Sequence, residues 1–299
     1  MDQLESLLVK SPTNQYIVYN KILGKGAYGV VLLSKQIKQQ QFYAIKIISK
    51  KVLAKINGAY NMRQEILFLS KLQHPNIIKM QESFEDENYF YIVLEYCQKG
   101  NLYELLKQQG AFSEEKACKY FNQILQAIQF MHKRQIIHRD LKLANILLTS
   151  EDNIKICDFN WATELIDGKA DPVLCGTVDQ MPPEVCSFSY HDTKVDIWSL
   201  GVLLYEMIHN SLPVITFVNE LSFGRYVSEE AQILLKDLMR IEKYQRPTVS
   251  EIYSYKWIKN NIQKQKVQLT TQSLCVTPRH SKQNSLDLKD IRKCIRTEN

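Results

Sequence analysis

The sequence predicts an α+β chain of two lobes, a small β-rich one followed by a larger and mainly helical one. Two observations carry this. From Tyr16 to Leu94 the apolar residues fall in short β-branched and aromatic runs, such as Tyr43-Ala44-Ile45-Lys46-Ile47-Ile48 and Tyr89-Phe90-Tyr91-Ile92-Val93-Leu94, interrupted by one helical stretch near Met62 to Leu72. After Lys99-Gly100 the apolar spacing changes to three and four residues, as in Glu114 to His132, with Ser113 as the expected N-cap. The stretch Val195 to Ile208 is apolar enough for a buried helix, but it contains Asp196 and Glu206 and is too short to span a bilayer. An apolar fraction of 45% over 299 residues is ample for a core.

The expected divisions are an N-terminal extension over 1–15, a small lobe over 16–94, a linker over 95–100, a large lobe over 101–258 and a polar tail over 259–299. The tail is rich in Gln, Lys, Ser and Thr and reads as disordered. A net charge of +6 without a dense Lys/Arg block argues against a nucleic-acid surface. The seven cysteines are scattered with no Cys-x-x-Cys pair, which fits a reducing compartment rather than a disulfide framework. Met1 is followed by Asp2 and no apolar h-region follows, so neither secretion nor myristoylation is expected. The expected protein is soluble, with no membrane partner.

The residue types that carry chemistry come in a fixed order. Gly24-Lys25-Gly26-Ala27-Tyr28-Gly29-Val30-Val31 fits G-x-G-x-x-G-x-V, and its β-rich flanks predict a hairpin whose backbone N–H groups can lie over phosphates. Lys46 ends an apolar strand run, where its compact charge could reach phosphate oxygens, and Glu65 on the following helix is its natural ion-pair partner. His138-Arg139-Asp140-Leu141-Lys142-Leu143-Ala144-Asn145 matches H-R-D-L-x-x-x-N between an apolar helix and the apolar strand Ile146-Leu147-Leu148. Asp140 is suited to accept a hydroxyl proton, and the oxygens of Asn145 and Asp158 suit Mg²⁺, a hard cation. Asp158-Phe159-Asn160 follows, then Pro182-Pro183-Glu184 and Gln245-Arg246-Pro247, whose arginine could pair with Glu184. Singly, most of these read as a Gly-rich turn, a surface lysine or a solvated helix carboxylate. All six in this order do not.

The motifs resemble those of eukaryotic protein kinases over roughly residues 16 to 258. Within that superfamily, Asp158-Phe159-Asn160-Trp161-Ala162, Leu174-Cys175-Gly176-Thr177-Val178-Asp179 and His191 to Val202 are most similar to the Aurora kinases. The resemblance implies the two-lobed protein kinase fold, with ATP and Mg²⁺ in the cleft. ATP would lie against Leu23, Gly24, Gly26, Gly29, Val31, Ala44, Lys46 and Leu147, and the hinge Glu95-Tyr96-Cys97 would bind adenine through its backbone at Glu95 and Cys97. Lys142 and Thr177 would join Asp140, Lys46 and Glu65 in the catalytic set, in the form typical of serine/threonine kinases. Protein substrates are implied, together with an intracellular location in cytoplasm or nucleus. A spindle or centrosome role and an activating partner on the small lobe follow from the Aurora likeness.

Departures from the family pattern carry their own expectations. Asn160 replaces a glycine, so a pseudokinase that binds ATP as a scaffold is the competing reading. The presence of Lys46, Glu65, Asp140, Asn145 and Asp158 favours an active enzyme. Val173 stands where Aurora kinases carry an activating threonine, leaving Glu164, Asp167 and Asp171 as the fixed carboxylates of that segment. Leu143-Ala144 replaces Pro-Glu, which predicts weaker selection for substrate arginine, and His209 to Tyr226 is shorter than in the family. Cys157 reads as a small buried apolar residue, whereas Cys175 could be exposed. In the tail, Thr277-Pro278 and Arg279-His280-Ser281 resemble modification sites.

Overall fold

The computed structural model describes residues 6–26, 29–55, 58–214, 221–224 and 226–275, with 266–275 described by backbone alone. Six antiparallel strands form the small lobe: β1 (Ser6–Lys10), β2 (Gln15–Gly26), β3 (Gly29–Gln36), β4 (Phe42–Ser49), β5 (Met80–Glu85) and β6 (Tyr89–Glu95). Their order is β1-β2-β3-β4-β6-β5. Side chains alternate across a strand, and β4 shows the consequence. Tyr43 and Ile45 join Val9, Tyr16, Val18, Tyr91 and Val93 in a small cluster on one face. Ala44 and Ile48 point the other way, into the main core with Ile92, Met62, Phe68 and Leu69. Lys46 shares that second face and so is aimed at a helix.

Two short helices follow β4: α1 (Lys50–Lys55) and α2 (Ala59–Lys71), the latter burying Met62, Glu65, Phe68 and Leu69. The expected helix near Met62 to Leu72 is therefore present. Within the expected 1–15 extension, β1 pairs with β2. Val9 is buried and pairs with Tyr16, while Leu7 and Leu8 stay exposed on this edge strand. A strand with one buried position has no alternation to read, which is why sequence pattern left it outside the lobe.

The large lobe contains α3 (Leu102–Gln109), α4 (Glu114–His132), the short strands β7 (Ile136–Ile137), β8 (Ile146–Leu148), β9 (Ile154–Ile156) and β10 (Thr163–Glu164), then α5 (Pro183–Cys186), α6 (Lys194–His209), α7 (Glu229–Leu238), α8 (Val249–Ile252) and α9 (Lys256–Cys275). Ser113 caps α4 as expected, accepting from the Lys116 N–H at 3.3 Å. Helix α6 is buried from Val195 to Ile208, the environment that an all-round apolar helix requires. The carboxylate of Glu114 accepts from the Ser228 N–H, the Ser228 hydroxyl and Trp257 Nε1, all at 2.7 Å, tying α4 to the cap of α7 and the start of α9. Trp257, Ile258 and Asn261 are buried within α9, which begins at Lys256 and continues the chain as helix to Cys275. The stretch 263–299 groups as a second unit. The tail sites at Thr277 and Ser281 lie outside the described residues. Among the described residues no helix is long and apolar enough to cross a membrane.

Candidate active site

The glycine-rich motif forms the β2–β3 hairpin that the flanks predicted, with Gly26 opposite Gly29 and Gly24 opposite Val31. Ala27 and Tyr28 lie outside the described residues. Gly29 is required sterically, since a Cβ there would sit 2.0 Å from the Ile47 carbonyl oxygen of β4. One strand further on, Lys46 Nζ donates to both oxygens of Glu65 at 2.7 and 2.6 Å, and both residues are buried. Burial alone would lower the lysine, but Glu65 and Asp158 together outweigh it and hold Lys46 above its ordinary range. The ammonium is a fixed positive charge on the face that β4 turns toward α2.

Both oxygens of the Asp140 carboxylate meet donors. Its Oδ2 faces Lys142 Nζ at 2.9 Å and Asn145 Nδ2 at 3.0 Å, while Oδ1 accepts from Thr177 Oγ1 at 3.0 Å. Lys142 Nζ also donates to Thr177 Oγ1 at 2.9 Å, closing a triangle between the loop and the segment that follows. The loop is pinned from beneath by Asp196, at the start of α6. Its carboxylate accepts from the His138 and Arg139 N–H groups at 3.0 Å each and approaches His132 Nε2 at 2.9 Å. Burial would raise Asp196, yet these hydrogen bonds and the two histidines prevail and keep it below its usual value. Asp196 is a positioning residue that motif reading missed, because in sequence it looks like one acid at the start of an apolar helix.

Asp158 adopts a left-handed backbone with φ 65°, and the ring of the following Phe159 packs against His138 with centroids 5.0 Å apart. The amide of Asn160 donates back to Asp158 Oδ1. Because Asn145 uses its Nδ2 on Asp140, its amide oxygen remains as a donor atom toward a cation. Together with Asp158 this is a hard oxygen pair that fits Mg²⁺. Val31, Ala44, Leu94, Cys97 and Leu147 belong to the same apolar core surface, which suits an adenine ring. Leu23 is exposed on β2. At the hinge, the Glu95 side chain is taken up by Lys155 Nζ at 2.8 Å and the Lys79 N–H at 2.7 Å, leaving recognition there to the backbone. Burial pushes the Cys97 thiol up to about 12, so it serves as an apolar wall.

The segment after Asn160 is held more sparsely. Ala170 and His191 exchange backbone hydrogen bonds at 2.8 and 3.0 Å. Arg139 uses Nε on the Trp161 carbonyl at 2.7 Å, beside a cavity of about 870 Å³ that Val173, Glu164 and Asp171 also line. Cys175 is buried, contrary to the exposed alternative, and burial raises its thiol despite Arg139 nearby. Cys157 lies against the Asn145 carbonyl, and its burial likewise raises the thiol well above its ordinary value. Gly176 needs its φ of +91°, since a Cβ would meet the Arg139 carbonyl oxygen at 2.7 Å. At the end of the segment, Arg246 pairs with both oxygens of Glu184 at 2.7 and 2.8 Å, the buried ion pair that the two motifs predicted. Ala144 is exposed beside the catalytic loop.

Residues 17–258 match the protein kinase domain. The chain is similar to Aurora kinase B of Danio rerio, 33% identical over 249 residues that cover 80% of this chain and 78% of that protein. It is similar also to Aurora kinase A-B of Xenopus laevis, 34% identical over 254 residues covering 82% and 62%. Aurora kinase of Yarrowia lipolytica is 35% identical over 249 residues covering 80% and 67%. The chain belongs to the protein kinase family, as a serine/threonine kinase of Aurora-like type.

Proposed function

We propose that this chain moves the γ-phosphate of Mg-ATP onto serine and threonine hydroxyls of proteins. The use of ATP and Mg²⁺ is general to the family. The observation that carries the reading for this chain is the closed triangle of Asp140, Lys142 and Thr177 beside a paired Lys46 and Glu65. Asp140 accepts the proton of the substrate hydroxyl, and Lys142 and Thr177 hold its carboxylate in place. Lys46 neutralises phosphate charge, and Glu65 fixes Lys46. Asn145 and Asp158 hold Mg²⁺, which supplies further charge neutralisation when bound. Catalysis of this kind is positioning plus electrostatics, and the groups it needs are already restrained by mutual hydrogen bonds.

A cell-cycle role at spindle or centrosome and an activating partner on the small lobe extend the same proposal. Exposed Leu7, Leu8, Ile22 and Phe42 on the small lobe support the latter. The second reading is an ATP-binding scaffold, favoured by the Asn160 amide on Asp158. A serine/threonine peptide library with γ-labelled ATP and a nucleotide-binding assay separates the two. Mg²⁺-dependent labelling supports the enzyme. Nucleotide binding without transfer, under every metal and partner condition, supports the scaffold.

A further inference from the structure

The stretch after β10 folds back on itself within four residues, Ile166 to Lys169. These two exchange backbone hydrogen bonds at 2.8 and 3.0 Å, and Asp167 and Gly168 between them both have positive φ, 51° and 76°. That is a type I′ hairpin turn, for which Asp-Gly is a favoured pair. Its tip packs on little: Ile166 is 79% exposed, and a Cβ at Gly168 would meet nothing within 4 Å. The flanks are the opposite, with Leu165 and Ala170 buried together beside Ile137, Val185 and Val195. Extended chain would hold Leu165 and Ala170 about 17 Å apart, so the turn is what brings them to one cluster.

That cluster touches both supports of the catalytic loop. Ile137 directly precedes His138, and Val195 directly precedes Asp196, whose carboxylate pins the loop. On one side of the hairpin the Leu165 N–H donates to the Gln135 carbonyl at 2.6 Å; on the other, Ala170 exchanges hydrogen bonds with His191, fully buried ahead of α6. The same segment goes on to bring Gly176 against Arg139 and Thr177 to Asp140.

We propose that the Asp167-Gly168 turn is a built-in clip that orders this segment in place of an activating phosphate, which Val173 cannot carry. The inference rests on the kinase reading above and deepens it on the side of regulation. An activating phosphate orders such a segment by pairing with arginine. Here the order lies in backbone conformation, and it is present as soon as the chain folds. Because the tip has few neighbours to lose, the clip depends on φ at position 168 rather than on packing there. A β-branched residue is strained at that φ, whereas asparagine enters the left-handed region more readily than other non-glycine residues.

The test uses the phosphatase-treated full chain with its Gly168→Val and Gly168→Asn variants. Hydrogen exchange at the amides of Ile166, Lys169, Ala170 and His191 reads the clip itself. Peptide kcat/KM reads the end of the segment at Thr177, and the affinity of a non-hydrolysable ATP analogue reads the cleft. In Gly168→Val the four amides should exchange on the order of tenfold faster, the scale of left-handed strain at one residue. Peptide kcat/KM should fall severalfold, while analogue affinity and melting temperature stay near their wild-type values. Gly168→Asn should recover most of both losses. Wild-type amides that exchange freely after phosphatase treatment, or a Gly168→Val chain that exchanges at the wild-type rate, overturn the proposal. So does a Gly168→Val chain that loses analogue affinity and melting temperature together, because the turn would then serve overall folding alone. A wild type that protects the four amides but transfers no phosphate from Mg-ATP overturns the kinase reading and leaves the clip standing.

Discussion

The catalytic loop and the segment that runs from Asn160 to Gly176 meet at Asp140, yet they are held in opposite ways. In the loop, Asp140, Lys142 and Asn145 restrain one another, and Asp196 fixes the backbone beneath them. In the segment, backbone pairing of Thr163 and Glu164 with β7 and of Ala170 with His191, and a small cluster holding Leu165 and Ala170, carry the order, while Ile166, Val173 and Leu174 expose apolar side chains to solvent. Groups that must be within a fraction of an ångström of a reacting atom are over-determined by side chains. A segment held mainly by backbone pairing sits nearer the low-stability end of the molecule than a loop tied by charged side chains.

The largest effect should come from cutting the anchor at the end of the segment. Arg246→Leu leaves the Glu184 carboxylate buried and unpaired, and should lower unfolding stability by about 3–5 kcal/mol. Urea denaturation measures this, and a loss below about 1 kcal/mol would mean that solvent reaches Glu184. Lys46→Met should reduce kcat/KM by roughly two to three orders of magnitude, the usual effect of removing one preorganised electrostatic donor. Adding Glu65→Leu should restore stability, because it removes the stranded buried carboxylate, but not turnover. Recovery of activity in that double variant would show that the pair acts only as packing.

A smaller effect is expected on the substrate side. Ala144 offers a methyl group where Aurora-like kinases present a carboxylate to substrate arginine. A charge-assisted bond there contributes about 1.5–3 kcal/mol, or roughly one to two decades of discrimination. Peptide pairs with Arg or Ala two residues before the acceptor should therefore differ little for the wild type, and by about tenfold or more for Ala144→Glu. A strong wild-type preference for arginine that Ala144→Glu leaves unchanged would place peptide reading on other residues, such as exposed Glu104 on α3.

Much of this was legible before any coordinates. The hairpin after Gly24, the pairing of Lys46 with Glu65 and that of Glu184 with Arg246 follow from residue types in a fixed order, because each needs a particular charge or a missing Cβ. Three features did not follow. Strand β1 buries Val9 alone, so its pattern carries no period. Helix α9 loses its apolar spacing after Ile262, which made a helical stretch read as a disordered tail. The ties of Asp196 to backbone N–H groups, and of Glu95 to Lys155, join positions 58 and 60 residues apart in sequence. Such contacts are specified by topology rather than by any local motif.

The catalytic loop is expected to assemble without a phosphate on the segment beside it, since Val173 cannot carry one and Arg139 already bonds to the Trp161 carbonyl. The most direct measurement is kcat/KM for a serine peptide with phosphatase-treated wild type, set against Asp140→Asn, whose side chain keeps the shape of the carboxylate but cannot take the proton. Phosphatase should change wild-type turnover by less than about twofold, and Asp140→Asn should fall by about 10²–10⁴-fold with its melting temperature retained. Loss of wild-type activity on phosphatase treatment, traced to a site such as Thr163 or Thr177, or a wild type no faster than Asp140→Asn, would contradict the claim.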